Sequence, residues 1–177
     1  MRINSDGNVA LAKNIGLGGA TPTTSGFGIT FPGTQSASTN ANTLDDYEEG
    51  TFIPTILGTT TAGTFTPNAD YTFGRYTKIG RLVNVYFGLV YTSFTGTGNI
   101  KLGGLPFTSQ NSFTELGAFI QGANITKPAN SALLSILDGN STEVRVLTYD
   151  TSSTTYNRTP LSVDAAAEFY FGLTYNV

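Results

Sequence analysis

Neither cysteine nor histidine occurs anywhere in this chain of 177 residues. The first absence excludes disulfides, thiolate metal sites and a cysteine nucleophile. The second removes the commonest general base and the commonest transition-metal ligand, so no Ser-His-Asp triad exists here. Charged residues make up only 12% of the chain, about half of the ~25% usual for a soluble domain. Surface helices carry a Glu/Lys-rich face, so this shortage argues against a helical protein. A small monomer needs surface charge to stay soluble, whereas a chain that hides surface in an oligomer needs less. No run approaches the ~18 apolar residues of a membrane-spanning helix, and residues 1–10 lack the apolar core of a signal peptide. The expectation is a chain neither exported by that route nor inserted in a membrane. Net charge is −3 and the basic residues are scattered singly. Without a basic stripe to neutralise phosphates, nucleic acid is not an expected partner.

What the chain does have is glycine (21 residues), abundant threonine, and aromatics at 12%, all Phe and Tyr. β-Branched and aromatic residues broken by Gly suit strands joined by tight turns. Residues 1–43 differ in texture from the rest. They are rich in Gly, Thr, Ser and Asn, and their large apolar residues come in short bursts of period two. Val9-Ala10-Leu11 and Phe27-Gly28-Ile29-Thr30-Phe31 are such bursts, each predicting a short strand with one buried face. This region cannot bury a core alone. It is expected to be an extended arm or shaft remnant, with Val9, Leu11, Phe27, Ile29 and Phe31 contacting other copies of the chain or a carrier protein. Residues 34–43 read as a linker.

From residue 44 onward, apolar runs alternate with turn signals. Strands are predicted over 51–57, with Pro54 arguing for an edge position, and over 70–79, 82–92, 99–102, 113–122, 131–137, 142–148 and 168–175. In 82–92 the face Val83, Val85, Phe87, Leu89 and Tyr91 is wholly apolar or aromatic and should meet the core. Gly80-Arg81 and Asp138-Gly139-Asn140 are hairpin turns, since Asp-Gly tolerates the positive φ such turns need. Only 163–168, with three consecutive Ala, suits a helical turn. The predicted fold is all-β: an antiparallel β-sandwich or jelly-roll head over 44–177 behind the arm 1–43, assembled as a homotrimer.

Candidate chemistry is sparse. Asp45-Asp46-Tyr47-Glu48-Glu49 invites a calcium reading and a paired-carboxylate reading. It lacks the spacing of an EF-hand loop, and neighbours on an extended chain point to opposite faces. A solvated turn, or an acidic partner for Arg75, Lys78 and Arg81, is the favoured account. No catalytic, cofactor-binding or metal-ligating residue is therefore expected. The aromatics Tyr71, Phe73, Tyr76, Tyr86, Phe87, Tyr91 and Phe94 suit either a sugar-binding surface or a core, and core is preferred for Phe87 and Tyr91. The polar loop 148–159 carries Tyr149, Tyr156, Asn157 and Arg158, candidate receptor contacts because exposed Tyr, Asn and Arg on a loop are good contact residues.

Two stretches carry a resemblance. Asn42-Thr43-Leu44-Asp45-Asp46-Tyr47-Glu48-Glu49-Gly50-Thr51-Phe52-Ile53-Pro54-Thr55 resembles a signature of many phage tail-fibre and tail-spike proteins. Gly74-Arg75-Tyr76-Thr77-Lys78-Ile79-Gly80-Arg81-Leu82-Val83 is similar to the motif that follows it there, and Gly103-Gly104-Leu105-Pro106-Phe107 matches a further element. Arg2-Ile3-Asn4-Ser5-Asp6-Gly7-Asn8-Val9 resembles a repeat of fibre shafts. The resemblance implies a non-enzymatic, trimeric virion protein without cofactors, often one that meets the host surface. Its implied partners are copies of itself, other tail or capsid proteins, and a host-surface glycan. Such fibres usually carry a long shaft, whereas a short arm precedes the head here. A capsid decoration protein or head fibre is therefore the alternative expectation, with a carbohydrate-degrading spike behind both.

Overall fold

Thirteen residues of uninterrupted strand, β9 (Leu82–Phe94), form the spine of the larger part of the molecule. The structure is a computed structural model, and it describes residues 2–3, 9–11, 13–34, 38–40, 42–111, 116–154, 158–162 and 164–177. The alternation in β9 does what it predicts. Val83, Val85, Phe87, Leu89 and Tyr91 are all buried, while Leu82, Asn84 and Tyr86 on the other face are exposed. The chain divides into two units, Met1–Glu48 and Glu49–Val177.

In the first unit β1 (Arg2–Ile3) pairs antiparallel with β2 (Val9–Ala10), and β3 (Ile15–Gly16) pairs parallel with β4 (Ile29–Thr30). The turn after β3 is closed by the Ala20 amide donating to the Leu17 carbonyl at 2.9 Å. Its Gly18 and Gly19 adopt φ of 54° and 80°, a region that costs non-glycine residues strain. Two-residue strands are what the bursts of alternation support, and no longer element forms among the described residues.

The second unit is built from β5 (Tyr47–Phe52), β6 (Thr55–Gly58), β7 (Phe65–Pro67), β8 (Phe73–Ile79), β9, β10 (Ile100–Gly103), β11 (Leu116–Ala123), β12 (Ser131–Leu137), β13 (Val144–Asp150), β14 (Arg158–Pro160) and β15 (Ala167–Asn176). The hydrogen-bonded order is β5-β8-β9-β15-β11-β12-β13-β10-β6, with β7 added to β9 and β14 to β13. All the pairings described in this unit are antiparallel. Strand β11 makes the sandwich. Its residues 116–118 pair with β12 and its residues 119–123 pair with β15, so one strand passes from one layer into the other.

The two layers close on a single apolar core. β9 and β15 contribute Val83, Val85, Phe87, Leu89, Phe169, Phe171, Leu173 and Tyr175; the opposite layer contributes Ile56, Ile100, Leu102, Leu137, Val144 and Val146. Phe87 and Phe171 are direct cross-strand partners whose rings stack at 4.8 Å, and Phe52 meets Phe87 edge-on at 5.8 Å. Each large side chain so buried contributes about 1.5–3 kcal/mol relative to exposure.

The structure refines several boundaries. The predicted strand 51–57 is two strands, β5 and β6, broken at Ile53-Pro54. They are the opposite ends of the sheet path, in keeping with the edge position that Pro54 requires. β8 begins at Phe73 rather than residue 70, because Asn68–Tyr71 closes a turn through the Tyr71 amide and the Asn68 carbonyl at 3.2 Å. The hairpin at Gly80-Arg81 forms, with Ile79 opposite Leu82 and Gly80 at φ 56°. In the second hairpin Asn140, not Gly139, takes the positive φ of 55°. The helical turn expected over 163–168 does not form among the described residues. Ala167 is buried and pairs with Tyr91, so ladder pairing overrides the helix preference of alanine.

Candidate functional site

One end of the head gathers the loop 124–130, the β13–β14 hairpin and the segment leading into β15. The hairpin is held in register by Leu147 opposite Pro160, Thr148 opposite Thr159 and Tyr149 opposite Arg158. The base of the hairpin is thereby pinned. Asn124 and Asn130 adopt positive φ at the two ends of the neighbouring loop. Thr151 ties that loop to the hairpin, since both its amide and its hydroxyl donate to the Asn130 carbonyl at 2.7 Å. At the start of the tip, the hydroxyl and amide of Ser152 donate to Asp150, which hold its carboxyl below the ordinary range.

Beside this hairpin lies an open groove of about 420 Å³ lined by Thr126, Lys127, Pro128, Pro160, Ser162 and Asp164 among others. Its polar groups are fixed. The Thr126 amide donates to Asp164 Oδ2 at 2.6 Å, and Lys127 Nζ donates to the Ser131 carbonyl at 2.5 Å. Beneath them the buried Tyr91 hydroxyl donates to the Asp164 carbonyl at 3.4 Å. Burial, and then the Asp164 charge, push the Tyr91 phenol far above its ordinary pKa. Hydroxyls, one ammonium and one carboxylate on a rigid rim are suited to hydrogen-bonding a polyhydroxylated ligand.

Of the residues predicted as receptor contacts, Tyr149 and Arg158 lie side by side at the base of the hairpin. Tyr149 is half-buried and Arg158 is exposed. Tyr156 and Asn157 lie outside the described residues. The groove was not legible in the sequence, because its residues come from separate loops and no local pattern marks them.

The arm residues distribute unevenly. Phe27 is 88% exposed and Ile29 54%, with Leu11 also exposed. Phe31 is half-buried, its ring 6.2 Å from that of Tyr47. Val9 is in β2, and its side chain lies outside the described residues. In the acidic stretch the Ser38 amide donates to Asp45 Oδ2, and Asp46 is buried while Glu48 and Glu49 are exposed. Among the described residues no three acidic side chains converge as a cation site would require.

The stretches that carry the sequence resemblance meet as packing. A Cβ on Gly50 would stand 2.7 Å from the Tyr76 hydroxyl oxygen, and one on Gly74 would stand 2.6 Å from the Phe52 carbonyl. Tyr76 meets Phe107 edge-on at 5.2 Å, and Lys78 Nζ sits 5.6 Å from the same ring. The Tyr175 hydroxyl donates to the Phe107 carbonyl at 2.9 Å. These glycines and aromatics lock β5, β8 and the 103–107 turn to one another. Of the seven aromatics singled out in the sequence, Phe87, Tyr91 and Phe94 are core residues, while Tyr71 and Tyr86 are exposed on the outer face.

That architecture is shared with part of a phage tailspike. Over 73% of this chain the fold resembles the Dettilon tailspike protein (gp208), with a TM-score of 0.56 and 19% identity. The matched part is 24% of that chain, so this protein spans about a quarter of the tailspike's length. No protein-family model matches the chain, and no curated protein matches it in sequence. The tailspike likeness is one of fold and assigns no site residue.

Proposed function

We propose that this chain is a structural, non-catalytic component of a bacteriophage particle, a homotrimeric fibre or fibre-tip protein that takes part in attachment to the host surface. The observation that carries this reading is the tailspike-like sandwich extending over 73% of the chain. Two further features support it. The sequence holds no histidine or cysteine with which to do the commonest chemistry. The arm presents large apolar side chains, Phe27 and Ile29 foremost, that the single chain leaves exposed. Ordering such a segment costs about 1–2 kcal/mol per residue of backbone entropy, which contacts to another virion protein would offset. In this reading the arm is the attachment segment. The β13–β14 hairpin with the adjoining groove is the outward face, and a host-surface glycan is the class of ligand that its hydroxyl and charged groups suit.

The test is competition. Purified protein, added to host cells before phage, should slow adsorption in a dose-dependent way, and Asp164→Ala should weaken that competition. If the protein does not compete, and particles lacking it adsorb normally but lose capsid integrity on heating, the protein is a capsid decoration protein instead.

A further inference from the structure

The loop 124–130, which contributes Thr126, Lys127 and Pro128 to the groove beside the β13–β14 hairpin, is tied down along its whole length. Asn124 Nδ2 donates to Glu168 Oε1 at 2.8 Å, and the Thr126 amide donates to Asp164 Oδ2 at 2.6 Å. The Ser131 hydroxyl donates to the Pro128 carbonyl at 2.6 Å, and the Asn130 carbonyl accepts from Thr151. Pro160 of the lining is held opposite Leu147 in the β13–β14 ladder. Leu161, the buried member of the lining, donates its amide to the Val146 carbonyl at 3.0 Å and accepts from the Ile100 amide at 2.8 Å. A ligand would meet groups already in position, which lowers the ordering cost of binding. Two charges line this groove. The Lys127 ammonium has three donors and spends one on the Ser131 carbonyl; the Asp164 carboxylate accepts from the Thr126 amide and keeps acceptor capacity on its other oxygen. Among the described residues neither charge makes an ion pair, with the other or with any other group.

We propose that this groove takes an uncharged sugar unit and rejects acidic ones, with Lys127 and Asp164 setting the choice. The inference rests on the glycan reading above and names the class of glycan. Its basis is the presence of one unpaired cation and one unpaired anion in the same groove. A sugar hydroxyl both donates and accepts, so adjacent hydroxyls of one ring can donate to Asp164 and accept from Lys127. Both bonds are then to charged groups, the stronger kind. The C–H faces of the ring are left for the apolar surface of Pro128, Pro160 and Leu161. An acidic sugar gains at Lys127 but brings its carboxylate into a groove that already holds the Asp164 carboxylate, and like charges repel there. The chain's net charge of −3 gives an anion no compensating long-range attraction. A phosphate group meets the same objection. An amino sugar meets the converse one, gaining at Asp164 and facing Lys127.

Binding of the full chain to immobilised oligosaccharides tests this, with neutral hexose chains arrayed beside uronate- and sialate-bearing chains of the same length. Wild type should bind the neutral chains and not the acidic ones. Lys127→Met keeps the aliphatic stem and loses the ammonium. It should bind neutral chains about tenfold more weakly, the share of one hydrogen bond to a charged group. Asp164→Asn keeps an oxygen to accept from the Thr126 amide, so the loop stays closed and the circular dichroism spectrum should not change. This variant should bind acidic chains about fivefold more tightly than wild type does, the relief of two like charges about 4 Å apart in water. A merely structural role for Asp164 would weaken binding to both classes and raise neither. A wild type that prefers acidic chains overturns the selectivity and leaves the glycan reading standing. Binding that is unchanged in both variants overturns the groove as the sugar site. A wild type that binds no chain of either class overturns the inference and the glycan reading together.

Discussion

Tyr175 shows how a single side chain reports on the core. It is buried, its hydroxyl donates to the Phe107 carbonyl at 2.9 Å, and burial pushes its phenol up to about 12 from 10.0. The folded state therefore favours the protonated phenol. Its contribution to stability is fully present below pH 10 and is lost as pH rises from 10 towards 12. Buried Tyr91 is pushed up in the same direction. The melting temperature should be flat from pH 7 to 9 and fall steeply above 10. Tyr175→Phe removes one of the two buried phenols, so the variant should lose less of its melting temperature between pH 10 and 11.5 than wild type does. Equal losses in the two proteins would contradict this assignment. At this scale the sequence was readable where alternation was long, as for Val83 through Tyr91. It was silent on Phe119 and Tyr170, whose common face appears only once β11 and β15 are in register.

Among the elements, β11 was the least legible. Nothing in its residues announces that it changes partner between Ala118 and Phe119, because the switch is set by where β12 and β15 lie. The corner between β5 and β6 was half legible. Pro54 signalled an edge, but not that the chain divides there into the two ends of the sheet path. Gly104 holds this corner. Its φ is 85°, and a Cβ would stand 2.3 Å from the Ile53 carbonyl oxygen. Positive φ alone costs a non-glycine residue roughly 1–2 kcal/mol, and the backbone clash adds to it. Gly104→Ala should therefore lower stability in urea unfolding by about 2 kcal/mol or more, whereas Gly19→Ala, with open space around its Cβ, should cost only the conformational strain. Equal losses at the two sites would remove the corner as the explanation. The candidate site was legible only in its hairpin, where Tyr149 and Arg158 were singled out; Thr126, Lys127 and Asp164 come together through loops with no shared pattern.

For the whole molecule, low charge, a sandwich head with an aromatic outer face and an arm of exposed apolar side chains all accord with the proposed assembly. Composition suggested that much before any fold was visible, because 12% charged residues leave little to keep a lone monomer soluble. The most direct measurement is gold labelling of intact phage particles with antibody against the head unit, residues 49–177, viewed by electron microscopy. The account predicts label at the distal end of the tail and none on the capsid. Label distributed over the capsid, or particles that carry none, would contradict it.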